Sequence, residues 1–258
     1  MEKHADFSKG KLFPLILKFS IPASISLLIT AIYNIVDRIF VGNFVGNTAL
    51  AALSICFPLS FIMIAFGLMC SAGGSTLFTL FRGKGDEVSA NLSFGNAFTM
   101  TVIFEVLLTL LLLLFSNTFL KVFGVTETTY ELAFKYYLIV SFGCVFQGLT
   151  LVLCDFVRVS GKPILGMAVT GIGAITNIIL DAILVVALGW GVEGAALATV
   201  IGQVVSMLFG LYLVFTNKTL VKVSKNIFKI NKGISNRVLS CGFEFWIAQI
   251  AMGFIALV

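Results

Sequence analysis

Between Leu15 and Val36 the only charged residue is Lys18. A helix rises about 1.5 Å per residue and a bilayer's hydrocarbon core is about 30 Å thick, so about 20 apolar residues cross it. The stretch Leu15–Gly42 is long enough to do so. The first fourteen residues lack the apolar core and small-residue cleavage site of a removable leader, so the run is expected to be retained as a span. It also carries a polar seam. Ser26, Thr30, Tyr33, Asn34 and Asp37 recur at helical spacing and share one face. A carboxylate inside or at the rim of a membrane helix is costly unless it is paired or faces a cavity. Asp37 therefore marks a cavity-facing site, or else an interfacial charge paired with the adjacent Arg38.

Six further apolar runs follow, near Leu50–Ser71, Phe94–Phe115, Leu132–Leu153, Leu165–Leu188, Ala195–Phe215 and Leu239–Val258. None shows the period-two alternation of barrel strands, so the expected class is an all-α polytopic membrane protein. With 59% hydrophobic and 11% charged residues, the chain falls far from the roughly one-quarter charged composition of soluble domains. Its net charge of +5 needs no nucleic-acid partner, because the cations sit in loops. The five cysteines stand singly in apolar segments with no CxxC spacing, and the only histidine is His4 in the polar N-terminal tail. Neither a disulfide frame nor a histidine-based metal or catalytic centre is expected.

The loops alternate in charge. Lys3, Lys9, Lys11 and Lys18 precede or open the first span, Arg82 and Lys84 follow the second, and Arg158 and Lys162 follow the fourth. Lys218, Lys222, Lys225, Lys229, Lys232 and Arg237 follow the sixth, whereas the opposite loops contain only Lys121. The positive-inside rule then places the N-terminus and the basic stretches in the cytoplasm. The expected organisation is a cytoplasmic tail (1–14), a six-span unit (15–216), a basic cytoplasmic linker (217–238) and a seventh span (239–258). The linker reads either as a solvated connector between two bundles or as an amphipathic segment on anionic lipid. The seventh run stops at Val258 without a flanking loop, which suggests a partial chain.

Other seams repeat the pattern of the first. In the fifth run Thr170, Gly173, Asn177 and Asp181 share a face, and Asp181 has no cation within a turn. The sixth run aligns Thr199, Gln203 and Ser206, and the fourth aligns Tyr136, Gly143 and Gln147. Helix-interface hydrogen bonding and close packing account for the amides, hydroxyls and glycines on their own. They do not account for a buried carboxylate such as Asp181. Two carboxylates, an amide, a hydroxyl and a phenol aimed into one bundle form a candidate cation or proton site, with hard oxygens that suit H+ or Na+. Glu105 interrupts the third run and Glu244 the start of the seventh; both are weaker candidates, Glu105 for the lumen and Glu244 for the interface. Gly83-Lys84-Gly85-Asp86 fits GxGD but lies in a charged loop, where intramembrane proteolysis could not use it. No GxxxxGK[ST], HExxH or GxSxG occurs.

Five motifs in order carry a resemblance over essentially the whole chain. These are Pro22…Asp37-Arg38-x-x-Val41-Gly42, Arg82-Gly83-Lys84-Gly85-Asp86, Arg158-Val159-Ser160-Gly161-Lys162-Pro163, Asn177-x-x-x-Asp181 and Gly194-Ala195-Ala196-x-Ala198-Thr199. The ordering resembles the MATE multidrug efflux transporters of the MOP superfamily, nearest their MepA/DinF-like bacterial branch. The resemblance implies a bacterial inner-membrane protein with twelve spans in two six-helix lobes, of which this chain would hold the first and the start of span seven. It implies exchange of cationic amphipathic drugs for protons or sodium, with no other cofactor and with the second lobe as partner. By resemblance Asp37, Tyr136, Asn177, Asp181 and Thr199 fall where the family's first-lobe cation or proton cluster lies. Thr30, Tyr33, Asn34, Gln147, Gln203 and Glu105 would add polar lining. The alternatives are a lipid-linked oligosaccharide flippase, which would need cationic residues in its cavity, an integral-membrane enzyme, for which no catalytic set is visible, and a channel, for which no filter is visible.

Overall fold

The computed structural model describes residues 12–216, 218–223 and 225–256. The start of the expected N-terminal tail, including His4, lies outside them. Among the described residues the chain is helical and has no strand. Its elements are α1 (Leu12–Phe44), α2 (Asn47–Gly83), α3 (Glu87–Leu114), a short α4 (Ser116–Val122), α5 (Tyr130–Val159), α6 (Pro163–Asp181), α7 (Gly191–Phe215) and α8 (Lys232–Ile255). Seven of these, all but α4, are long and apolar enough to cross a membrane, α6 being continued by the π-helical turn Ala182–Ala187.

Each of the seven long helices begins before the apolar stretch that predicts it, because more polar residues continue the backbone ahead of the apolar core. The 37 residues of α2 span about 55 Å at 1.5 Å each, well beyond the hydrocarbon thickness. Local chemistry sets the ends. Gly85 takes φ +78, turning the chain between α2 and α3. Asp86 then accepts a hydrogen bond from the Ser89 amide and caps α3, and Ser89 holds its carboxyl below the usual range. Pro163 opens α6 at a position where its missing N–H costs nothing.

α2 is central and packs against α3, α5 and α8. On the other side α7 packs against α5 and α6, and α1 against α6. The helices alternate in direction, so one end of the bundle gathers the basic loops. Phe78, Phe94 and Phe156 interlock edge to face near that end, with centroids 5.3 Å (Phe78–Phe156) and 5.0 Å (Phe94–Phe156) apart.

The linker corrects the expectation of a solvated connector. Most of its apolar side chains turn into the protein, Ile230 excepted: Val221 and Ile227 are buried in the same core as Phe94 and Phe156. Asparagines on α3 hold its backbone, Asn91 Oδ1 accepting from Lys222 N at 2.7 Å and Asn96 Oδ1 from Asn231 N at 2.7 Å. The last helix starts at Lys232, before the expected Leu239, because Asn231 caps it through the Gly233 and Ile234 amides.

Candidate functional site

Two adjoining cavities run along the face built from α1, α2, α5 and α7. The one nearer the basic end, about 410 Å³, also takes in α6 and Gln249 of α8. The other, about 280 Å³, lies toward the opposite end between α1, α2, α5 and α7. Thr30, Tyr33, Ile64, Gln147, Thr199 and Gln203 line both and form a waist between them. Volumes of this size are those of small-molecule sites.

The α1 seam supplies one wall, and its hydroxyls are turned back along their own helix. Ser26 Oγ donates to Pro22 O at 2.8 Å, Thr30 Oγ1 to Ser26 O at 3.0 Å and Asn34 Nδ2 to Thr30 O at 2.8 Å. The Ser26 and Thr30 hydroxyls and the Asn34 amide nitrogen are thereby satisfied, whereas Asp37 is not. It is buried, lines the smaller cavity, and its Oδ1 has no hydrogen-bond partner. The pairing with Arg38 expected at a water interface is not the arrangement found: the Arg38 guanidinium lies 4.3 Å from the centroid of the Phe57 ring.

Asn177 and Asp181 arrive from α6. Asn177 Nδ2 donates to Thr199 Oγ1 at 3.4 Å, joining α6 to α7, while its Oδ1 is buried without a partner. Asp181 is wholly buried, and neither carboxyl oxygen has a partner. It lines neither cavity, but its charge and that of Asp37 act on one another. Tyr136 lies within electrostatic reach of Asp37, Asp181 and Tyr33, and it packs against the buried cluster that contains Val41 and Val185. Immediately after Asp181 the helix widens into the π turn, a feature that the apolar pattern does not show.

The structure thus sets Thr30, Tyr33, Gln147, Thr199 and Gln203 at the waist, Asn177 on the larger cavity and Asn34, Asp37 and Tyr136 on the smaller, while Asp181 is buried outside both. Glu105 is a second exception. It is fully buried between α2, α3 and α5 and lines neither cavity, so its expected role as lining is corrected. Glu244 is exposed on α8.

The sequence reading missed Asp155. It lines the larger cavity, where its Oδ1 accepts from Arg158 Nη1 at 2.8 Å and its Oδ2 from Ser71 Oγ at 2.7 Å. The signal was present as an aspartate three residues before an arginine, on one helical face.

Buried carboxylate and amide oxygens without partners are what a proton or a hard cation satisfies. Asp37 Oδ1, both oxygens of Asp181 and Asn177 Oδ1 fit either. Among the described residues no three His, Cys, Asp or Glu side chains gather as a transition-metal set.

The MatE family model matches residues 22–183. The multidrug export protein MepA of Staphylococcus aureus is 27% identical over 98% of this chain, and that of Staphylococcus saprophyticus 26%. The chain spans 56% of the length of those relatives. Among solved structures, a MATE protein in complex with MaL6 is similar at TM-score 0.91 and 27% identity, covering 98% of this chain and 56% of that one. An outward-facing multidrug resistance MATE family transporter of the MOP superfamily is similar at TM-score 0.87 and 28% identity, covering 93% and 53%.

Proposed function

We propose, for a chain that belongs to the MATE family, that the whole protein is a cation-coupled antiporter exporting cationic, amphipathic drugs by alternating access. The observation that carries the reading is the group of buried, partnerless oxygens on Asp37, Asp181 and Asn177, set beside two joined cavities. Left alone, buried carboxylates are strongly unfavourable. A proton or Na+ relieves that cost, and an organic cation competing for the same negative charge would displace it. Coupling then needs only that ion and drug differ in affinity for the two conformations. Asp37 and Asp181 would exchange the ion, with Asn177, Thr199 and Tyr136 as polar partners. Phe57, Phe61 and Met63 on the smaller cavity's wall suit apolar drug surfaces.

In this reading the protein sits in the bacterial inner membrane with the basic loops and the N-terminus cytoplasmic, as the positive-inside rule directs. A second lobe, beginning with α8, would complete the transport path. A lipid-linked oligosaccharide flippase is the weaker reading. It would need free cations on the cavity wall for pyrophosphate, whereas Arg38 there lies over Phe57 and Arg158 is paired with Asp155.

The test is ethidium efflux from pump-deficient cells expressing the whole protein, with pH and sodium varied separately. Wild type is expected to clear dye in response to one of the two ions. Asp37→Asn and Asp181→Asn are expected to express normally and lose efflux. Wild-type efflux in both variants sinks the assignment of coupling to these residues.

A further inference from the structure

Glu105 is the buried acid that the cavities do not use. Its Oε1 accepts the backbone N–H of Gly67 at 2.8 Å. Its Oε2 is sealed from solvent without a partner, as is the hydroxyl of Thr101 one turn earlier on α3. Two glycines make the space. A Cβ on Gly67 would lie 2.6 Å from the Gly148 Cα and 3.0 Å from Glu105 Oε1. A Cβ on Gly148 would lie 2.8 Å from that oxygen and 2.9 Å from Thr101 Cγ2. α2 and α5 therefore meet backbone to backbone over the carboxyl, with no room for water between them.

The titratable groups within electrostatic reach of Glu105 are thiols, Cys70 from α2 and Cys144 from α5, and each would feel a charge placed there. α8 brings Leu239 and Trp246 toward this part of α3, and the turn Lys225–Phe228 brings Phe228 farther along it. None is a cation. An ionised Glu105 would face a single amide N–H and no counter-charge, and a buried carboxylate in that setting neutralises instead.

We infer that Glu105 is a second proton-binding site, a neutral carboxyl carrying its proton on Oε2 at the dry contact of α2, α3 and α5. Its ligand is the proton alone, since the contact has no volume for a hydrated ion. The site is placed to act on the cavities from behind. Gly67 lies one turn from Ile64, and Gly148 adjoins Gln147, both residues of the waist. Loss of the proton would charge the contact and part α2 from α5, widening the waist. The proton site itself stands whether or not the protein transports a drug.

Infrared spectroscopy of the whole protein in lipid, in H2O and D2O at neutral pH, tests it. A protonated-carboxyl C=O band is expected in wild type and in the Asp37→Asn/Asp181→Asn double variant, and is expected to lose intensity when Glu105→Gln is introduced into either. An unchanged band in Glu105→Gln overturns the inference. Thermal melting against pH supplies an independent check. The folded site keeps a proton that the unfolded chain releases, so wild-type stability is expected to fall as pH rises, and more steeply than that of Glu105→Gln. Identical slopes contradict the inference. Should the glutamine variant fail to fold, Glu105→Asp, which keeps a carboxyl, is expected to show the band at a shifted frequency; its loss there also overturns the proposal.

Discussion

Asn177 reaches Thr199 at 3.4 Å because Gly173, one turn earlier on α6, lets α7 approach without a side chain in the way. A Cβ on Gly173 would lie 2.0 Å from Ser206 Oγ and 2.8 Å from the Gly202 carbonyl. Gly173→Ala is therefore expected to push α6 from α7 and cost about 1–3 kcal/mol, the usual range for overpacking. Melting of the purified variant checks this. Adding Ser206→Ala is expected to recover part of the loss, since the Gly202 backbone still blocks the rest.

Gly143 holds a different relation to the waist. Its Cβ would meet Gln203 Oε1 at 2.6 Å, and that oxygen is the free end of a flexible side chain. Gly143→Ala, which would also press on Val200 Cγ2 at 3.0 Å, is expected to cost less stability than Gly173→Ala while displacing Gln203 into the passage between the cavities. Binding of a bulky cation should weaken more than that of a small one. Equal weakening of both would show that the waist does not select by size.

The Asp155–Arg158 pair is about one-quarter exposed on each side, so its net value is small even though its disruption is not. Arg158→Met leaves the Asp155 carboxylate on Ser71 alone and is expected to destabilise by about 1–3 kcal/mol. Asp155→Leu combined with Arg158→Met is expected to cost less than Arg158→Met by itself. A double-mutant cycle on unfolding in detergent measures the coupling directly.

Asn96 ties the linker to α3 through the Asn231 amide and the Ser235 hydroxyl. Asn96→Ala is expected to weaken that attachment by about 1 kcal/mol, roughly fivefold in the population of detached linker. Limited trypsin digestion at Lys222 and Lys229 should speed up accordingly. An unchanged rate would show that burial of Val221 and Ile227 holds the linker without the asparagine.

The membrane helices were legible because a span leaves a long apolar run, and the polar seams because helical spacing alone puts Asp37 near Tyr33 and Asp181 near Asn177. What the sequence could not show is partnership between helices. Glu105 looked like a lumen residue because a mid-span acid is a strong signal, yet its direction depends on Gly67 and Gly148, far apart in the chain. Asp155 was hidden for the opposite reason, since an acid one turn from an arginine at a helix end reads as an interfacial charge. The linker's apolar residues were visible, but lipid and protein surfaces attract them alike, and the asparagines on α3 that decide the matter lie more than a hundred residues away.

In the proposed mechanism drug and coupling ion compete for the carboxylates Asp37 and Asp181. The most direct test is to titrate ethidium into the purified whole protein in weakly buffered solution, reading pH and free sodium together. The account predicts that ethidium binding releases protons or sodium from wild type and that the Asp37→Asn/Asp181→Asn double variant releases neither. Tight ethidium binding to wild type with no release of either ion would contradict it.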